Sequence, residues 1–133
     1  MNQSAPIHPD QEEMFGLTKK THTEALKTIS EVVMGHAKET SQTPTNAMQF
    51  AAIDGFMAAA GQILAAMTVD TIQGTEMKES EVLEGAIGVL FTFQKTIQNI
   101  FDETLKKANM EGVDVDAMVE KFEAEYKKAK AGQ

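Results

Sequence analysis

From Ala47 to Val69 the chain reads AMQFAAIDGFMAAAGQILAAMTV, a helix-forming stretch whose single charge is Asp54 and whose apolar residues wind around the whole helix axis. A helix that buries one stripe is served by the core of a small bundle, whereas one that is apolar all round needs cover on every side. A large protein, a membrane or a partner chain can supply that cover. At 133 residues the chain is one domain's worth, too small to surround such a helix by itself. The expected fold is all-α: an antiparallel bundle of three long helices and a shorter C-terminal helix, completed by homo-oligomerisation.

The flanking sequence supports a helical reading. From Asp10 to Glu39, Met14, Phe15, Ala25, Leu26, Ile29, Val32 and Val33 share one face at 100° per residue, with Lys20, Glu24, Lys27, Glu31 and Lys38 opposite. Pro44 cannot continue this helix but can open the next, expected to begin near Thr45 to Met48 and to run to about Gln73, with Gly74 past its end. A third helix from Lys78 to Asn109 carries Val82, Leu83, Ala86, Ile87, Leu90, Phe93, Ile97, Ile100, Phe101 and Leu105 on one broad face, and Gly112 is expected to end it. Asp114 reads as the N-cap of a fourth helix striped by Val115, Met118, Val119, Phe122, Tyr126 and Ala129. Residues 1–9, polar with Pro6 and Pro9, are expected to be disordered, and 10–133 to form one helical domain.

Charge and composition exclude several functions. There is no cysteine, so disulfides and thiolate metal sites are ruled out. The net charge is −8 and every basic residue is lysine. Arginine supplies the planar fork that grips phosphates and guanine edges, so its absence argues against sequence-specific nucleic-acid reading and disfavours anionic membrane surfaces. Lysines interleave with the acids, which suits ordinary solubility better than nucleic-acid mimicry. The N-terminus lacks the basic start and apolar run of a leader, and a cytoplasmic protein is expected. A membrane-spanning Ala47–Val69 is disfavoured by Asp54, Gln49 and Gln62 and by the lack of an aromatic belt or basic flank.

Few residues carry chemistry. His22 and His36 lie on the apolar face of the first helix, roughly 21 Å apart, too far to share one metal ion. Asp54 and Asp70 are spaced roughly 24 Å apart on the second helix. A turn centred near residue 45 sets His36 opposite Asp54 and His22 opposite Asp70, two buried polar pairs that would fix register, with Lys95 as the rival partner of Asp54. The acids Glu76, Glu79, Glu81 and Glu84 have the spacing of a magnesium-binding helix. They lack a second acidic pair on a facing helix, and first-turn acids are also what the helix dipole favours. No Glu-x-x-His pair, serine elbow or phosphate-binding glycine loop occurs.

Small residues suggest where helices meet. Gly55, Ala58, Ala59 and Gly61 on the second helix, with Gly85, Gly88 and Thr92 on the third, form the candidate oligomer interface, because they let neighbouring backbones approach closely. The expected function is a non-enzymatic helical protein that binds another protein as a homo-oligomer, without cofactor or metal. The rival readings are a small metal-dependent nucleotide pyrophosphohydrolase using Glu76 to Glu84, and an acidic inhibitor that mimics nucleic acid.

Overall fold

A computed structural model describes residues 9–110 and 112–132, which form four helices and no strand. The helices are α1 (Pro9–Glu39), α2 (Asn46–Gly74), α3 (Glu79–Lys107) and α4 (Val115–Ala131). Three of 31, 29 and 29 residues are thus followed by one of 17, the order expected from the hydrophobic periodicity. The expectation for residues 1–9 lies outside the described residues except at Pro9, which opens α1.

Each boundary has a local cause. At the end of α1, Ser41 takes a left-handed φ of 54°, its N–H donates to Lys38 O at 3.2 Å, and the N–H of Gln42 reaches back to Ala37 O at 2.8 Å. These are the paired bonds of a Schellman ending, which satisfy carbonyls the helix leaves open. The same device closes α3: Asn109 sits at φ 59° and donates to Lys106 O, while Met110 donates to Leu105 O, both at 3.0 Å. Asn109, and not Gly112, therefore ends the third helix; asparagine reaches the left-handed region more readily than most residues. Gly112 has φ 98° in the short link that follows. Gly74, expected beyond α2, is its last residue, and no left-handed turn is used there.

Helix starts follow the sequence more closely. The Thr45 hydroxyl oxygen accepts from the N–H of Met48 at 3.2 Å and caps α2 directly after Pro44. Asp114 accepts from the N–H of Ala117 at 3.0 Å and caps α4 as its position suggested.

The chain divides into two units, Met1–Ile63 and Leu64–Gln133, with the boundary inside α2. In the first, the covered residues of α1 recur every fourth position: Ala25 and Ile29 half-buried, Val33 and Ala37 buried at 5% and 2% exposure. Met48 and Ala52 of α2 are half-buried as well. Val33 lies at the edge of two grooves, one shared with His36, Met48 and Ala52, the other with Leu26, Pro44 and Ile53.

In the second unit α4 packs against α3. Gln98 of α3 and Val115 of α4 are buried there, with Asp102, Leu105 and Val119 half-buried around them. Val82, near the start of α3, is the other buried residue, and Leu64, Thr68 and Ile72 of α2 are half-buried at four-residue intervals.

Candidate interaction surface

Among the described residues, the buried apolar side chains are Val33, Ala37, Val82 and Val115, none of them large. The large ones face solvent on every helix, among them Phe15 and Leu26 on α1, Phe50 and Ile63 on α2, Phe93 and Ile97 on α3, and Phe122 and Tyr126 on α4. Residues whose periodicity marks a core thus form a surface. Soluble monomers rarely expose apolar patches beyond a few hundred Å².

The small residues singled out from sequence lie on this surface. Gly55, Ala58, Ala59, Gly61, Gly85, Gly88 and Thr92 are all exposed. A Cβ added at Gly55, Gly61, Gly85 or Gly88 would meet nothing within 4 Å, so close packing inside the described chain is not what requires glycine there. On α3 the polar members of this line are satisfied internally. The Thr92 hydroxyl donates to Gly88 O and the Thr96 hydroxyl to Thr92 O, each at 3.0 Å. A neighbour packed along this line need not strip water from an unbonded threonine donor.

Within the first unit the expected pair of His36 and Asp54 is not assembled. His36 and Asp54 are exposed, and no ion pair or hydrogen bond joins them among the described residues. The connection between α1 and α2 spans 40–45, so the chain reverses ahead of residue 45. His36 lines a groove with Ala47, Met48, Ala51 and Ala52, nearer the turn than Asp54. His22 in the first unit and Asp70 in the second are each exposed too. In the second unit the Lys95 Nζ lies 5.3 Å from the centroid of the Phe91 ring, one turn earlier on α3.

The acids Glu76, Glu79, Glu81 and Glu84 are exposed, and no group of three or more carboxylate or imidazole side chains among the described residues is placed to hold a metal ion. The polar groove at the α3–α4 corner holds what the sequence did not reveal. Gln98 is 8% exposed and its Oε1 has no hydrogen-bond partner, in a groove shared with Asn99, Asp102, Lys106, Asp114, Val115 and Asp116. Lys106 and Asp102, one turn apart on α3, form an ion pair at 3.0 Å on the α3 side of it. Glutamine beside Ile97 carries no sequence signal that separates it from the solvent-facing residues of the same helix.

By length and composition α2 is apolar enough to cross a membrane, with a mean hydropathy of 1.5 over its best window and none of that window buried. Comparison with known family models, curated proteins and solved structures finds no match to this chain.

Proposed function

We propose that the chain is a non-enzymatic helical interaction protein that assembles as a homo-oligomer and presents a surface to another protein, as regulator, adaptor or decoy. The observation that carries this reading is the exposure of large apolar side chains along all four helices, while burial is confined to a few small ones. Covering one such side chain contributes roughly 1–2 kcal/mol, so covering several at once offsets the roughly 4–15 kcal/mol cost of bringing two chains together. The small residues Gly55, Ala58, Ala59 and Gly61 on α2, with Gly85, Gly88 and Thr92 on α3, are the places where a second backbone comes nearest.

Sedimentation of the unmodified chain at micromolar concentration tests the reading, and a stable monomer would sink it. Replacing Ala58 or Ala59 by lysine is expected to shift the protein towards smaller species, because overpacking and a buried charge act together. The membrane reading of α2 gives a different result: the chain would float with neutral lipid vesicles in a density gradient. Its cost lies in Asp54, which would sit within the apolar stretch away from water.

A further inference from the structure

We propose that α3 pairs antiparallel with α3 of a second copy of this chain, through the stripe Leu83, Leu90, Phe93, Ile97, Ile100 and Phe101. This inference rests on the homo-oligomer reading and adds to it a second face of α3, roughly 130° around the helix from Gly85, Gly88 and Thr92, together with the orientation of the two copies.

Leu83, Ala86, Leu90, Phe93, Ile97, Ile100 and Thr104 are spaced alternately by three and four residues, the seam of a coiled coil. The stripe is open from Leu90 onward, with Leu90, Phe93, Ile97 and Ile100 each about half exposed, while near its start Ala86 is half-buried and the adjoining Val82 buried. The covered residues in the second half of α3, Lys95, Gln98, Asp102 and Leu105, project roughly 90–170° away from it, and α4 packs against α3 there. α4 therefore leaves the stripe uncovered.

Area and charge select the occupant. The six large side chains each offer roughly 80–100 Å², so two copies would bury about 1,100 Å², enough for a specific interface before any flanking contact is added. The first turn of α3 carries Glu79 and Glu81, and its last turn Lys106 and Lys107. A parallel pair sets Glu79 beside Glu79 and Lys107 beside Lys107 of the second copy. An antiparallel pair sets Glu79 beside Lys107 at both ends and brings Phe93, midway between them, against its own copy across the two-fold axis. The self-complementary arrangement thus joins opposite charges where the alternative joins like ones.

The absence of cysteine makes the test clean. Glu79→Cys and Lys107→Cys chains, each checked for unchanged helical circular dichroism, are treated with a short bis-maleimide separately and after mixing through the unfolded state. Within one antiparallel pair of identical chains the two thiols lie roughly 42 Å apart, beyond the reagent's reach. Cross-linked dimer is therefore expected only in the mixture. Cross-linking of Glu79→Cys with itself would overturn the antiparallel pairing, and an oligomeric protein without the mixed product would overturn the role of α3 while leaving the oligomer reading intact. A monomeric unmodified chain would remove both. Independently, Ile97→Glu is expected to lower the sedimenting mass while keeping helical dichroism; an unchanged mass overturns the proposal.

Discussion

The N–H of Ser41 donates to the carbonyl of Lys38 at 3.2 Å, and Ser41 takes a left-handed φ of 54° to make that bond. A side chain in that region costs about 1 kcal/mol, which glycine avoids at the expense of a more flexible unfolded chain. Ser41→Gly is expected to stabilise the protein by about 0.5 kcal/mol, and Ser41→Val to destabilise it by more than that. Denaturant midpoints compared at one protein concentration decide it, since assembly makes stability concentration-dependent. A lower midpoint for the glycine variant would contradict the cap.

The fourth helix is held at its start. Val115 is buried and Val119 half-buried, while positions 120–131 are exposed throughout. Amides of Val119–Ala129 are expected to exchange with solvent faster than those of Ile53–Ala66. Asp114→Ala removes the bond to the N–H of Ala117 and is expected to cost about 1 kcal/mol, widening that difference.

Gln98 makes a contrary prediction, because here removing a polar group helps. Its Oε1 is buried with no partner, a penalty of roughly 1–3 kcal/mol. Gln98→Met keeps the length and apolar contact of the side chain and is expected to raise the denaturation midpoint. A fall of 1 kcal/mol or more would mean that the amide is bonded through ordered water, on the order of the loss of one such bond.

With His36 and Asp54 both exposed and unjoined, their replacements are expected to act independently. The double variant His36→Ala, Asp54→Ala should equal the sum of the single variants to within about 0.5 kcal/mol. A coupling above 1 kcal/mol, on the order seen for directly interacting groups, would reveal a pair made between copies.

Helix order and extent were legible in the sequence because period and breakers agree: Pro44 and Thr45 open α2, and Asp114 opens α4. Helix ends were less so. Asn109 takes the left-handed role expected of Gly112, while α2 runs one residue past the expected Gln73 to Gly74 without a left-handed turn. Periodicity marks which side of a helix is apolar and says nothing of which neighbour covers it. Phe93 and Ile97 therefore read as core residues although they face solvent. The spacing of His36 and Asp54 misplaced the register, since the turn over 40–45 is centred ahead of residue 45 and sets His36 beside Ala47, Met48, Ala51 and Ala52 instead. Gln98 was invisible because its burial depends on where α4 docks.

The threonines of α3 turn their hydroxyls onto the carbonyls four residues back, as do Thr68 and Thr71 on α2. Each donor is thereby satisfied inside its own helix, so a neighbour can cover Thr92 and Thr96 without breaking a bond from the hydroxyl hydrogen to water. An assembly held by such surfaces loosens in the cold and tightens in sulfate, the reverse of one held by ion pairs. If copies of this acidic chain associate as proposed, chilling rather than salt would take them apart.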